Sequence, residues 1–559
     1  MAAVAGVDNN SGHYHGQLQA VLPGQYPMFE TKMEQHWGRA MRCYAERPTT
    51  MDLMFRQAAA RTPDAEALVE GPVRLNYGEL DVRVDRVAAG LMTRGIHADD
   101  RVAMMLHNRI EVVVAVLAIA RIGAILLPID VRLRRPEIAN IFADATPVAI
   151  IHEASLATEL PEEGPPPDMR FAVGDGGHAP RFGDLLDHEM SVPRLPDRDE
   201  EAPYAIIYTS GTTGRPKGAV LTNLGMVHTA LHWIDWLEMK PGERAILSVP
   251  WSHVAGLCGM IAPMLHLSGS LAIMAQFERR AFLRLASDHS MTCVLMMPAM
   301  FDICMLEPDL SRYDLSNWRL GIIGGAPTTV ATMRRCAAAL PQLELCRGYG
   351  ATETTCPATV VPKGKSLAHI DSVGTILACC EIRIMNEDGN EVPVGENGEL
   401  WIGGAIVSPG YWRAEAANAA SFSDGFWKSG DIGSIDAEGY VRIVDRKKDM
   451  ISRSGYKVYP AEVENVLCEM PPVIEAAVVG RPDMLGESVI AFVTARQPRS
   501  REEEDALTEA KLREYCSSRL ADFKVPLRIV IGFDALPRNP TGKVQKDRLR
   551  ARAVELRAR

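Results

Sequence analysis

The sequence predicts an α/β chain: a large N-terminal domain with parallel sheets covered by helices, a β-rich subregion within it, and a small α+β C-terminal domain. Three observations carry this. The chain has 559 residues, far more than one typical core holds. Short β-rich runs at 205–208, 245–249, 271–274, 293–297 and 320–323 alternate with helical stretches, the signature of a mainly parallel sheet. After about residue 375 the texture changes to paired short runs joined by turn residues, and a new α/β pattern begins near 449.

In chain order, residues 1 to about 50 show little periodicity and read as an N-terminal extension, with no basic stretch before an apolar one and hence no signal peptide. Residues 77–94 predict a helix whose Leu80, Val84, Val87, Ala88 and Leu91 share a face, with Gly95 suited to its C′ position. The apolar stretch 112–129 contains Arg121, Gly123 and Pro128. It reads as a buried helix followed by a core strand rather than a membrane span. Residues 159–168 and 192–203 are polar, Pro-rich loops. Two hairpins are expected, 382–385 with 391–394 around Asn386 to Gly389, and 433–435 with 440–444 around Asp436 to Gly439. Pro460 fits the first turn of a helix with Val463, Val466 and Leu467 on one face, followed by a strand at 489–494.

Composition narrows the function classes. A 47% apolar and 23% charged chain is an ordinary globular protein. The net charge of −11 leaves no excess of Lys and Arg to neutralise a phosphate backbone, which argues against a nucleic-acid binder. Eleven cysteines without a CxxC pair indicate reduced, buried thiols and a cytoplasmic protein, with Cys379 and Cys380 as packing residues on a strand.

The most informative segment is Tyr208-Thr209-Ser210-Gly211-Thr212-Thr213-Gly214-Arg215-Pro216-Lys217-Gly218, directly after an apolar strand. Its glycines let the backbone approach a ligand. Its hydroxyls, exposed N–H groups and Lys217 can surround phosphate oxygens. The order of residues is not that of a Walker A loop. Tyr349-Gly350-Ala351-Thr352-Glu353 offers a carboxylate of the kind Mg²⁺ takes when phosphates supply its other ligands. Gly324, Gly325, Ala326 and Pro327 follow a strand end, where backbone can reach a nucleotide. Ser429-Gly430-Asp431 supplies an acceptor for two hydroxyls, and Arg446-Lys447-Lys448-Asp449, taken alone, would be a solvated turn. Ser454-Gly455-Tyr456-Lys457 and Asn539-Pro540-Thr541-Gly542-Lys543 complete the series. His228 and His232 stand four apart on a helix, but the string HTALH lacks the glutamate of a zinc motif, so both read as structural. No G-x-S-x-G nucleophile elbow occurs.

In these motifs and their order the sequence resembles the adenylate-forming superfamily of acyl-CoA synthetases, peptide-synthetase adenylation domains and luciferases. The resemblance covers nearly the whole chain beyond the extension. It implies that residues 209–217 hold the pyrophosphate part of ATP, and that Tyr349 packs on adenine. It implies that Thr352 contacts phosphate, that Glu353 helps hold Mg²⁺, and that Asp431 and Arg446 bind ribose. Ser429 stands where the family more often has Thr, and Asp445 where some relatives have Gly. Lys448 falls at the family's hinge, Gly455 lies along its pantetheine tunnel with Lys457 nearby, and Lys543 takes the place of its catalytic lysine. His253 falls near the acyl carboxylate. The implied domains are an extension 1–50, a large adenylation domain 51–445 with its β-rich subregion at about 375–445, a hinge 446–448, and a small mobile domain 449–559.

The activity so implied is acid–thiol ligation: ATP and a carboxylic acid give acyl-AMP and pyrophosphate, and coenzyme A then takes the acyl group. By motif position the acyl pocket comprises His253, Val254, Ala255, Ala299, Met300, Gly324, Ala326 and Thr354. It is mostly small and apolar with no evident Arg for a second acid, which points to a medium-chain, alicyclic or aromatic monocarboxylate. Alternatives are a stand-alone adenylation enzyme loading a carrier protein, a luciferase-like oxygenase, and a non-catalytic nucleotide-binding homologue. Besides the acid, ATP and CoA, candidate partners are a second copy of the chain and a lysine acetyltransferase/deacetylase pair acting on Lys543, because Pro537 precedes Gly542-Lys543 as in acetylated acyl-CoA synthetases.

Overall fold

The structure is a computed structural model that describes residues 29–556, except 176–179, 189–198, 210–215, 327, 329, 454–455, 484–485, 499 and 539–543. Two sheets organise the large domain. The first has six strands in the order Lys217–Thr222, Pro203–Thr209, Ile125–Pro128, Arg101–Met105, Ala149–Glu153 and Arg170–Val173. All its neighbours are parallel except the first pair. The second sheet contains a parallel run in the order Glu344–Tyr349, Leu320–Ile323, Cys293–Met296, Arg244–Leu247, Ser270–Ile273 and Glu66–Glu70. Beyond Glu344–Tyr349 it continues antiparallel through Thr359–Val360, Gly374–Ile376, Tyr440–Arg446, Phe426–Ile435, Gly398–Gly404 and Cys380–Met385. This is the β-rich subregion. The C-terminal sheet joins Tyr456–Val458, Ile451–Arg453, Gly486–Ala495, Val473–Asp483 and Arg528–Gly532, with its own buried cluster under helices Pro460–Cys468 and Glu509–Ser517.

Local chemistry explains the helices that frame the sheets. In Tyr77–Thr93, Asn76 and Glu79 form a reciprocal capping box that satisfies two free N–H groups. Gly95 ends the turn at φ +81°, a left-handed conformation that glycine adopts without a Cβ clash. The apolar stretch after Arg109 forms the buried helix Ile110–Arg121 and the core strand Ile125–Pro128. Arg121 is buried at the helix end and reaches Asp52, Asp81 and Asp85 at 2.9, 2.6 and 2.6 Å. A buried guanidinium without such partners would cost several kcal/mol (about 3–5). Among the described residues no helix is long and apolar enough to cross a membrane.

Two local features differ from the sequence reading. The supposed extension contains an antiparallel hairpin, Thr31–His36 with Arg39–Tyr44, and Tyr44 is fully buried against His228 and His232. Met33 and Ala40 are exposed while His36 is buried, so the strands carry little apolar periodicity. In the expected hairpin at 382–394, only a single bridge joins Met385 to Glu391. Cys380–Met385 pairs instead with Gly398–Gly404, and Pro393, which has no N–H, cannot extend a ladder through 391–394.

Candidate active site

The parallel run of the second sheet gathers the motif residues at one edge. Tyr349 and Gly350 end the strand Glu344–Tyr349, Gly324 and Ala326 follow Leu320–Ile323, Ala299 and Met300 follow Cys293–Met296, and His253 follows Arg244–Leu247. These four strands are neighbours, so their carboxyl ends lie side by side, the usual ligand edge in such sheets. Thr209 ends the strand Pro203–Thr209 of the other sheet.

Lys217 and Glu353 meet through Tyr411, a residue the sequence reading did not single out. The Tyr411 hydroxyl donates to Glu353 Oε1 at 2.8 Å, and Lys217 Nζ stands 5.0 Å from the centre of its ring, within cation–π range. Burial first, and then the Glu353 charge, push the Tyr411 hydroxyl above its ordinary pKa, so it remains a donor. The segment carrying Tyr411 pairs with the strand Lys217–Thr222: Trp412 N–H donates to Gly218 O at 2.7 Å and Val220 N–H to Gly410 O at 3.1 Å. Glu353 is buried, with Ser408 N–H on its carbonyl at 2.8 Å. Its second carboxylate oxygen has no hydrogen-bond donor among the described residues. A hard oxygen without a donor among the described residues, on a buried residue, fits a divalent cation such as Mg²⁺.

A second connected set lies beside it. Tyr349 donates from its hydroxyl to Asp431 Oδ2 at 2.6 Å, and Arg446 Nε lies 3.2 Å from Asp431 Oδ1. Burial, reinforced by Asp431, raises the Tyr349 pKa well above its usual value. Asp431 and Arg446 are brought together by the register of Phe426–Ile435 against Tyr440–Arg446, where they are direct partners. Asp445, on the opposite face, accepts from Ala461 N–H at 2.7 Å and so caps the helix Pro460–Cys468. The Asp445 side chain thus has a defined structural task.

His253 caps no helix with its side chain; its Nε2 lies 2.9 Å from Asp130 Oδ2. Asp130, at the end of Ile125–Pro128 in the other sheet, also receives Arg132 Nε and Nη2 at 2.9 and 2.7 Å. Burial opposes its ionisation, but the hydrogen bonds from Arg132 and His253 outweigh it and hold the carboxyl well below the usual range. Val254, Ala255 and Ala326 are half-buried, Ala299 is exposed, and Met300 is buried. Thr354 is fully buried, and its hydroxyl is committed to Ala351 N–H and O. Thr352 is half-buried at the start of the turn Thr352–Thr354. Lys448 is exposed, as is Lys457, which pairs with Glu387 at 3.0 Å. Ser210, Gly211, Thr212, Thr213, Gly214, Pro327, Gly455 and Lys543 lie outside the described residues.

The histidine pair on Asn223–Trp236 is packing, as expected. His228 Nδ1 bonds Leu224 O, and its Nε2 accepts from Tyr44 N–H, while His232 Nε2 accepts from Cys379 N–H. All eleven cysteines are free. Asp130 and Tyr411 were missed because each is a lone residue in an apolar or turn-like string. Their role emerges only when separate strands meet.

Comparison with known proteins identifies the family. The family of AMP-binding enzymes matches residues 55–412, and the AMP-binding enzyme C-terminal domain matches residues 462–543. The chain is 33% identical over 504 residues to a long-chain-fatty-acid–CoA ligase of Mycobacterium tuberculosis, covering 89% of this chain and 97% of that protein. It is 32% identical to an indoleacetate–CoA ligase of Aromatoleum aromaticum, covering 85% and 92%. Among solved structures, o-succinylbenzoate–CoA synthetase of Bacillus subtilis in complex with ATP and magnesium superposes with a TM-score of 0.77 at 26% identity, covering 89% of this chain and 98% of that one. With a family match over most of its length and relatives covered nearly end to end, the chain belongs to the AMP-binding enzyme family, the adenylate-forming superfamily of acyl-CoA ligases.

Proposed function

We propose that this AMP-forming acid–CoA ligase acts on a monocarboxylic acid with an uncharged tail, medium-chain, alicyclic or aromatic, and that Mg²⁺ and coenzyme A serve with ATP. The observation that carries the reading is the contact chain Lys217–Tyr411–Glu353 beside Tyr349–Asp431–Arg446. A cation, a carboxylate whose second oxygen has no donor among the described residues, and a second carboxylate at Asp431 support binding of the phosphates, Mg²⁺ and ribose of ATP. The tail is assigned from the pocket positions: Val254, Ala255, Ala299, Met300, Gly324 and Ala326 carry no charge, and Arg132 is already paired with Asp130. The two CoA ligases named above are named for a fatty acid and for indoleacetate.

In the first half-reaction a carboxylate oxygen of the acid attacks the α-phosphorus of ATP, and pyrophosphate leaves. Attack by an anion on an anion needs positive charge at the site. Lys217 supplies it at the leaving phosphates and Lys543 at the reacting carboxylate. Bound at Glu353, Mg²⁺ would neutralise phosphate charge. Asp431 accepts from the ribose hydroxyls, and Tyr349 flanks the base. In the second half-reaction the CoA sulfur, having lost its proton, attacks the acyl carbon and AMP leaves. Residues 446–448 form the hinge on which domain 449–559 turns, withdrawing Lys543 and bringing Gly455 and Lys457 to the thiol path. Acetylation of Lys543 would remove its charge and silence the first step.

The test is a panel of acids assayed for pyrophosphate release with ATP, then for AMP release with free CoA or with a carrier protein as acceptor. Release dependent on CoA with uncharged acids supports the proposal. Activity only with a carrier protein would make the chain a carrier-loading enzyme, and activity only with dicarboxylates would overturn the tail assignment.

A further inference from the structure

Lys217 and Glu353 carry opposite charges, and Tyr411 touches both. Among the described residues, however, no ion pair links either of them to anything. We propose that Tyr411 is a positioning residue that keeps this cation and this carboxylate apart, so that Lys217 faces the polyphosphate and the free oxygen of Glu353 faces its metal ion. The inference rests on the nucleotide-binding part of the function proposed above.

The geometry shows how one phenol does this. Its hydroxyl fixes Oε1 of Glu353 at 2.8 Å and leaves the second oxygen without a donor among the described residues. Its ring offers the ammonium of Lys217 a face at 5.0 Å, an attraction that does not cancel the charge as a carboxylate would. A flexible lysine near a buried carboxylate that has no ion-pair partner among the described residues would otherwise close onto it, because pairing is the ordinary fate of a buried charge. Tyr411 itself is rigid. It is buried, its N–H donates to Asn418 Oδ1 at 2.6 Å, its carbonyl accepts from Asn418 Nδ2 at 3.0 Å, and Phe422 packs edge-on at 5.5 Å. The backbone on either side of it is bonded to Lys217–Thr222 through Gly218 and Val220, so the ring is registered directly against the strand that Lys217 begins.

Tyr411→Phe removes the hydroxyl and keeps the ring, and it fills the same space. Titration of the full-length protein with Mn²⁺ in the presence of a non-hydrolysable ATP analogue, followed by electron paramagnetic resonance, reads the metal–nucleotide site without catalysis. The expected result is about tenfold weaker Mn²⁺ binding, the scale of one hydrogen bond to a charged group, in a variant that remains folded at the assay temperature by circular dichroism. Pyrophosphate formation should fall and recover at high Mg²⁺, while AMP release from supplied acyl-AMP and CoA stays at the wild-type rate. Tyr411→Leu, which also removes the ring face, should weaken binding of the nucleotide itself as Lys217 turns to Glu353. Unchanged Mn²⁺ affinity in Tyr411→Phe would overturn the proposal, as would equal loss of both half-reactions. If wild-type protein binds Mn²⁺ and nucleotide but activates no acid, the functional reading fails, and the same titration still decides Tyr411.

Discussion

His253 Nε2 and Asp130 Oδ2, 2.9 Å apart, tie the carboxyl end of a strand in one sheet to the carboxyl end of a strand in the other. The bond fixes the imidazole at the position proposed to meet the acyl group. Asp130→Asn should reduce kcat/KM for the acid by about 10- to 100-fold, the range of a partly buried charged hydrogen bond. Most of the change should appear in the KM of the acid, with the KM of ATP unaltered. Because the Asp130 carboxyl is held below its usual range, its contribution to stability is present above its unfolded pKa and is lost as pH falls through the folded value. Steady-state kinetics with acid and ATP varied separately check the first statement.

Lys543 should matter to one half-reaction alone. Lys543→Ala is expected to lose most acyl-AMP formation, roughly 100-fold or more for a residue acting on transition-state charge, while converting supplied acyl-AMP and CoA to product at the wild-type rate. Equal losses in both steps would show that the lysine acts on neither chemistry in particular.

The Tyr349–Asp431–Arg446 set should act on the nucleotide. Asp431→Ala removes the acceptor for ribose and leaves the buried Tyr349 hydroxyl without its partner, so the KM of ATP should rise about tenfold or more. Arg446→Ala, at an exposed position, should raise it less. Isothermal titration with ATP gives the order, and a reversed order would remove Asp431 from the nucleotide site.

Acid should destabilise the protein before its carboxylates titrate. Burial lowers the pKa of His228 to about 3 and that of His232 well below its usual value, and each Nε2 must stay unprotonated to accept a backbone N–H. The unfolded chain takes up these protons from about pH 6.5 downward and the folded one does not. Stability is therefore complete above that pH and falls below it, by up to about 1.4 kcal/mol per pH unit for each histidine. Urea unfolding at successive pH values measures the slope, which His228→Gln should reduce.

Much of the scaffold was legible because its signals are local. The helix Tyr77–Thr93 announces itself by one apolar face, a cap and a terminal glycine, and the parallel strands by alternation with helices. The hairpin Thr31–His36 with Arg39–Tyr44 was not legible, since one of its strands shows only a single buried residue. At 386–389 a turn signal was present, but the better partner for Cys380–Met385 lay a few residues beyond 391–394. In the site, motif strings marked Lys217, Glu353 and Asp431. The groups that orient them do not occur near them in the chain: Asp130 is 123 residues from His253, and Tyr411 is 58 from Glu353. Such pairings are products of tertiary structure and leave no spacing to read.

The bonds from Gly410 and Trp412 to the strand Lys217–Thr222 have a consequence for the order of assembly on the ribosome. The strand's outer edge waits for a segment synthesised almost two hundred residues later, and Asp431 follows that segment. Until then the growing chain has the strand Lys217–Thr222 with one edge open and lacks Asp431, so if these residues bind ATP as proposed, nascent fragments should neither capture nor spend it.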